Sequence, residues 1–358
     1  MLGFQQCCDA YQYDALGAAC LSIGNCWNEQ RPIGAVALSA TLGHAMVLLN
    51  HTLLFLFARY LIRGEVKAHL NIVTYQPTAR DQWVKTFVIF SIFEVMFSGL
   101  ASVMLSDVAA GVFAAFAILG FMQKDALLLS IAGAISVLIR AAYLYPILVI
   151  VVFFLAESLF QKRKTGVWAA LFFVGIAPQF WLTYVHTGVF AFLDPATVNY
   201  WREFHFSSNW AGYDTLVPAQ GFPWKVEGLV GFSVAYQLQQ WGDMFALIVG
   251  RINFYFSSFV LWGKVYLSSP SERIFTPIIG LCSFATFVAS VLYLKASAWR
   301  LALPLSLILM QSLIIVPEQR FIFVIQLFLV VYASLYCFQS ISGFKGVFSS
   351  DEDERGNK

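Results

Sequence analysis

The stretch "SDVAAGVFAAFAILGFMQKDALLLSIAGAISVLIRAAYLYP" (Ser106 to Pro146) decides the fold class of this chain. Two apolar runs, residues 108–122 and 126–140, are separated by one charged break, "QKD", and neither alternates apolar with polar positions. Membrane barrel strands would alternate over about 10 residues, so these runs are helices. The hairpin begins at an acid, Asp107, and closes at a base, Arg140.

The rest of the sequence follows the same pattern. Of the 358 residues, 59% are hydrophobic and 12% charged, with mean hydropathy +0.72, whereas soluble domains average roughly 25% charged residues. The fold class is an all-α polytopic membrane protein. A net charge of +2, with no basic stripe interleaved with aromatics, argues against a nucleic-acid surface. Further apolar runs fall at 33–62, 84–105, 146–160, 167–186, 243–262, 274–294, 300–316 and 321–342. A crossing needs about 20 apolar residues, so the shorter runs borrow flanking positions.

Lys and Arg set the expected orientation, because cytoplasmic loops carry them in excess. Arg59, Arg63, Lys67, Arg80 and Lys85 surround the first connection, and "QKRKTG" (Gln161 to Gly166) follows the fifth run. With both inside, residues 1–32, Asp107, the Arg140 to Pro146 turn and the segment 187–240 lie outside. The run 243–262 carries Arg251 and Asn253 at mid-length, and a central Arg costs at least about 2.5 to 3.5 kcal/mol on insertion scales. Laid along the interface, it turns Lys295 and Arg300 inward and "VPEQRF" (Val316 to Phe321) outward. The expectation is a transmembrane domain over 1–342 with about nine crossings plus interfacial helices. It has an outer loop at 1–32, an outer loop with an interfacial helix at 187–262, and a polar acidic tail at 343–358. An outside start without a signal peptide suggests that a first span precedes this sequence.

Cys7, Cys8, Cys20 and Cys26 cluster near the start; they can form a disulfide if that segment faces an oxidising compartment. The spacing of Cys20 and Cys26 is a poor zinc pattern. Cys282 and Cys337 lie within spans, as core packing.

On this topology Asp9, Asp14, Glu29, Arg31, Asp107, Arg140, Glu318 and Arg320 gather at the outer side. Carboxylates and arginines converging on one interface are the parts for acid/base work on an anionic substrate. Each also has an ordinary reading. Asp9 and Asp14 suit a solvated loop, Asp107 after Ser106 suits an N-cap, and Arg140 at a span end suits snorkelling. An outer Arg nevertheless runs against the charge bias and favours an anionic partner, while Glu318 and Arg320 can neutralise each other. Phosphate-loop, dinucleotide, zincin and nucleophile-elbow signatures are absent from the sequence.

Four stretches, taken in order, resemble the GT-C superfamily of polytopic glycosyltransferases, whose members include dolichyl-phosphate-mannose-dependent protein mannosyltransferases and aminoarabinose transferases. "DAYQYDALGAACLSIGN" (Asp9 to Asn25) looks like the first external loop. "RPIGAVALSATLGHAMVLLNHTLLFLFARYL" (Arg31 to Leu61) is similar to the start of the second span, with Ile33 where a second proline is common. Ser106 to Pro146 looks like the short acidic turn, helical hairpin and Arg-ended helix. "VPEQRFIFVIQLFLVV" (Val316 to Val331) is similar to the Pro-Glu-x-Arg turn before the last span.

The resemblance implies a GT-C-like bundle, here lacking the family's first span. It implies an inverting membrane glycosyltransferase that moves a sugar from a polyprenyl-phosphate carrier to an outer-side acceptor, a surface polysaccharide or lipopolysaccharide unit. Asp9 matches the general base, with Asp14 the alternative. Asp107 matches the acidic turn, which in several members binds a divalent metal or places the donor phosphate; no organic cofactor is implied. Arg140 and Arg320 match basic positions for the lipid phosphate, with Glu318 orienting Arg320. The partners are the lipid-linked donor, a glycan or lipid-linked acceptor and the bilayer, and the location a bacterial inner membrane with the site on the outer side. Trp201, Trp210, Trp224, Tyr200 and Tyr213 suit sugar stacking or an interfacial belt equally. A lipid-linked glycan polymerase or flippase, and an inactive scaffold, remain the competing readings.

Overall fold

The computed structural model describes residues 9–23, 26–28, 31–63, 79–101, 107–195, 285, 299–314 and 322–338, and every regular element among them is helical. In chain order these are α1 (Asp9–Ile23), α2 (Ile33–Leu42), α3 (Met46–Ile62), α4 (Ala79–Ala101), α5 (Asp107–Gln123), α6 (Ala126–Ile139), α7 (Leu144–Phe160), α8 (Leu171–Thr187), α9 (Trp299–Ile314) and α10 (Phe323–Phe338). Short 3-10 turns join α2 to α3, α6 to α7 and α7 to α8. Three helical stretches, Ile33–Ile62, Ala141–Phe160 and Gly166–Thr187, are long and apolar enough to cross a membrane, and α5, α6, α9 and α10 are shorter apolar helices.

The α5–α6 hairpin is the centre of the molecule. All of α5 except Phe113, Phe116 and Gln123 is buried; its alanines and glycines let neighbouring backbones approach closely. A Cβ on Gly120 would stand 2.5 Å from Leu129 N, so only glycine permits this crossing. The "QKD" break is the turn. Asp125 Oδ1 accepts from Leu127 N and Leu128 N, each at 3.0 Å, as an N-cap. Two serine hydroxyls tie the hairpin to its surroundings, Ser136 to Ala110 O within it at 2.9 Å and Ser130 to Trp168 O before α8 at 2.9 Å.

Heights along the bundle follow from cross-contacts. Phe323 packs on Gly111 and, edge to face at 4.9 Å between centroids, on Phe97. Ala101, one turn beyond Phe97, therefore stands level with Asp107, one turn before Gly111. Asn50 Nδ2 donates to Ala101 O at 3.3 Å, and Gly34 lies against Leu138 O, where a Cβ would come to 2.6 Å. Gly34 and Asn50 thus share the Asp107 end, although about 24 Å of helix would separate them at 1.5 Å per residue. The consequence is that α2 runs across that end, and the chain turns down at Gly43, whose φ of 48° favours glycine. Within the span-length stretch Ile33–Ile62 the α-helix is therefore interrupted at Gly43–Ala45, between α2 and α3.

The segment 1–32, expected to be a loop, contains α1. Ala10, Ala15, Leu16, Ala18, Ala19 and Leu21 are strong helix formers, and Gly17 lets α1 lie directly on Ser39 and Ala40 of α2, at 2.9 Å from a built Cβ. A span-length apolar run was the wrong criterion for a helix that packs on another helix. Cys337, expected in the core, is exposed on the outside of α10.

The opposite end is defined by Glu157. Its carboxylate pairs with Arg300 Nη2 and lies 3.8 Å from Lys124 Nζ, and Arg300 Nη1 also donates to Phe121 O at 3.1 Å. Trp299 closes the cluster against Phe121 and Phe153. Thr187 ends α8 on the Asp107 side, because Ile33 N donates to Gln179 Oε1 at 2.7 Å, while Trp299 starts α9 on the Glu157 side. The flanks of the segment 196–298 therefore lie at opposite ends. The run 243–262 and the tail 343–358 fall outside the described residues.

Replacing Gly34 with Ala should lower stability by about 1 to 3 kcal/mol, since a methyl there meets backbone that cannot rotate away. Thermal unfolding of the detergent-purified protein reads this directly, and an unchanged midpoint would show that α2 does not sit on Leu138.

Candidate functional site

Of the six residues singled out in the sequence, the structure joins two. Arg140 Nη1 lies 2.5 Å from Asp107 Oδ1, and the two residues are 8% and 1% exposed. Local backbone explains the meeting. Asp107 is the first residue of α5, where an acid also suits the positive helix terminus. Arg140 leaves α6 in an extended conformation, φ −145° and ψ 114°, with its own N–H still bonded to Ser136 O at 2.9 Å. That break turns the guanidinium back over the hairpin's open end. The turn Ala141–Tyr143 then starts α7, Tyr143 N donating to Arg140 O at 3.2 Å.

The pair corrects one ordinary reading: Arg140 is turned into the protein and does not snorkel, and its guanidinium engages the Asp107 carboxylate. An ion pair this buried has lost much of its hydration, so its worth lies in fixing two groups relative to each other.

Four further residues of the site, Gly111, Phe323, Tyr143 and Gln311, carry no charge and were not anticipated. Gly111 forms a notch in which a Cβ would meet Phe323 at 2.5 Å and Tyr143 Oη at 3.2 Å. Phe323 and Tyr143 are both buried there. Gln311 of α9 donates through Nε2 to Ala142 O. The last turns of α9 and the first turn of α10 thus close on the loop that follows Arg140. Glycine and aromatic residues are so common in this chain that no sequence signal distinguished them. "LIRAAYLYP" does place Tyr143 three residues after Arg140, which is the one available hint.

Above this end sits the α1–α2 unit. A disulfide joins Cys20 to Cys26, and Trp27 stacks on His186 at 4.4 Å with the rings 17° apart. Gln179, besides holding Ile33 N, donates to Phe192 O at 2.9 Å, and Thr183 donates to the same oxygen at 3.1 Å. A buried amide and hydroxyl in α8 thereby bind both the start of α2 and the turn after Gly188, whose φ of 74° ends the helix.

Asp9 and Asp14 lie on α1, and their side chains fall outside the described residues, as do Glu318 and Arg320 entirely. The aromatic loop residues Tyr200, Trp201, Trp210, Tyr213 and Trp224 fall outside as well. Among the described residues the donors around Asp107 do not make up a set for a divalent cation. One carboxylate is already committed to a guanidinium, and no group of three or more His, Cys, Asp or Glu side chains gathers among the described residues. Sequence reading also passed over Glu94, which pairs with His51 at 2.8 Å inside the α3–α4 hairpin, and Glu157. A carboxylate within an apolar run was the signal in both cases.

Removing either partner of the Asp107–Arg140 pair should cost about 3 to 5 kcal/mol. Asp107→Asn combined with Arg140→Gln should cost less than the sum of the singles, as read from denaturation midpoints. Strict additivity would mean that the two groups do not interact.

No family model, curated protein or solved structure matches the chain.

Proposed function

We propose that this chain is a membrane glycosyltransferase that transfers a sugar from a polyprenyl-phosphate carrier to an acceptor hydroxyl on the outer face, with inversion. The observation that supports this reading is the meeting of the four GT-C-like stretches. Gly17 of the first lies on Ser39 of the second, Gly34 of the second on Leu138 of the third, and Gly111 of the third on Phe323 of the fourth. Stretches far apart in sequence, each resembling part of one family's active face, come together at the Asp107 end.

Two independent features favour placing that end outside. The Cys20–Cys26 disulfide is a bond of oxidising compartments. Arg59, Arg63, Arg80, Lys85, Lys124, Lys162, Arg163 and Arg300 are at or beside the Glu157 end, as the cytoplasmic side of a bacterial inner membrane would have them. The sequence pattern adds a crossing at 274–294 with 243–262 along the interface, for about nine crossings in all.

In the proposed reaction Asp9, with Asp14 as the alternative, takes the proton of the acceptor hydroxyl. That oxygen bonds to the anomeric carbon from the face opposite the donor, and the bond from that carbon to the phosphate oxygen breaks, releasing polyprenyl phosphate. Arg320 and Arg140 stabilise the departing phosphate through charge-assisted hydrogen bonds. Asp107 holds Arg140 at the α6 terminus so that it need not reorganise during the step.

Purified protein supplied with radiolabelled polyprenyl-phosphate sugars and a glycan acceptor should release and transfer label, and Asp9→Asn should reduce transfer by at least about 100-fold, the lower range for general-base loss. Undiminished transfer by both Asp9→Asn and Asp14→Asn would remove α1 from the chemistry, and ligation of preformed chains would indicate a polymerase. For orientation, a cysteine placed at Lys162 should react with a membrane-impermeant maleimide only after intact cells are permeabilised. Labelling without permeabilisation would invert the assignment of sides.

A further inference from the structure

The Glu157 end carries a second polar assembly that the sugar-transfer reading does not use. Arg59, on the last turn of α3, lays its guanidinium over the Trp83 ring at 3.9 Å from the centroid. Its Nε and Nη1 are buried and make no hydrogen bond. Arg63 follows one turn later at the end of α3, its N–H bonded to Arg59 O at 3.1 Å, and is exposed. Arg80, also exposed, precedes Trp83 on the first turn of α4. Among the described residues none of these three arginines takes part in an ion pair. Like charges one turn apart on a helix repel weakly, so an anion placed among them relieves that repulsion.

A rail of apolar surface starts at the same point. Trp83 stacks on Phe87 at 5.9 Å, and both rings meet Phe55. Phe87 then lines an open groove of about 560 Å³ with Val84, Val88, Ser91, Ile92 and Val95 along one face of α4. Arg80 is on that face too, one turn before Val84 by the 3.6-residue period. The groove has no charged residue in its lining, and at its Val84 end α4 and the neighbouring end of α3 carry Arg80, Arg59 and Arg63, which make no ion pair among the described residues. That is the shape and polarity of a phospholipid with a net negative headgroup.

We infer that Arg59, Arg63 and Arg80, arranged about Trp83, bind the phosphate of an anionic phospholipid whose acyl chain lies in the α4 groove. Trp83 holds the Arg59 guanidinium in place beside the start of the groove, where its charge attracts a phosphate, and the exposed Arg63 and Arg80 supply the accessible donors. The acyl chain contributes apolar contact without specificity, and the arginines select the headgroup charge. A zwitterionic lipid carries a cation of its own that these groups repel.

The test uses the full chain in neutral detergent, titrated with phosphatidylglycerol or phosphatidylcholine and followed by native mass spectrometry. Wild type should retain phosphatidylglycerol in preference to phosphatidylcholine, and each arginine removed should weaken that retention roughly fivefold, as expected for a basic residue near an anionic lipid surface. Arg63→Gln and Arg80→Gln are the primary variants, because both side chains are exposed and their loss leaves the fold intact; Arg59→Gln is the third. Equal retention of the two lipids by wild type would overturn the proposal. So would unchanged phosphatidylglycerol retention in Arg63→Gln/Arg80→Gln. Full displacement of the bound lipid by inorganic phosphate would overturn it as well, by showing that the cluster takes a soluble anion.

Discussion

A guanidinium and a carboxylate held together inside an apolar bundle are the constraint around which this molecule is arranged. Asp107 and Arg140 stand at the two open ends of one hairpin, and neither can be left alone there without a large desolvation penalty. Their pairing fixes where α5 begins, where α6 stops and where α7 turns away. Everything else at that end is placed relative to them: Tyr143 and Phe323 in the Gly111 notch, α2 across Leu138, and α1 on top of α2. At the far end the same logic recurs, with Glu157 collecting Arg300 and Lys124. Two clusters of charge, one at each end, thus clamp helices that have little but dispersion to hold them side by side in lipid.

The functional proposal depends on convergence, and on no single motif. Loose patterns of small, acidic and basic residues occur by chance in any apolar chain. Contacts through Gly17, Gly34 and Gly111 connect four such patterns in series, and each is a place where a side chain larger than hydrogen does not fit. Asp107 and Arg140 change in meaning as a result. As isolated positions they suggested a phosphate ligand and a helix cap; as a buried pair they form a fixed point at the end where α2 crosses Leu138 and α10 begins on Gly111. In the proposed reaction that pair presents Arg140 to the departing phosphate, while Asp9, Asp14 and Arg320 supply the remaining groups.

How legible the molecule was depended on length scale. The apolar runs at 108–122 and 126–140 correspond closely to α5 and α6, because exclusion of charge over a dozen positions is a strong local signal. The run 33–62 is one apolar, span-length stretch, yet the chain turns within it at Gly43, because hydropathy reports the surroundings of a helix and not its direction. The helix at 9–23 was passed over because its mixed composition suits packing on another helix and not on lipid.

The sequence by itself determined that the chain is helical, that it resides in a membrane and which polar residues it could not bury singly. Local composition suffices for that, because the cost of an unpaired charge or an open backbone group in hydrocarbon does not depend on the partner. Only the tertiary structure decided who those partners are. Arg140 with Asp107, Glu157 with Arg300, Gln179 with Ile33, and Phe323 with Gly111 are separated by 33 to 212 positions along the chain. Which of many arginines meets which acid is set by the crossing of helices at glycines and by the turns between them. Those are properties of backbone geometry in three dimensions, where spacing along the chain carries no information.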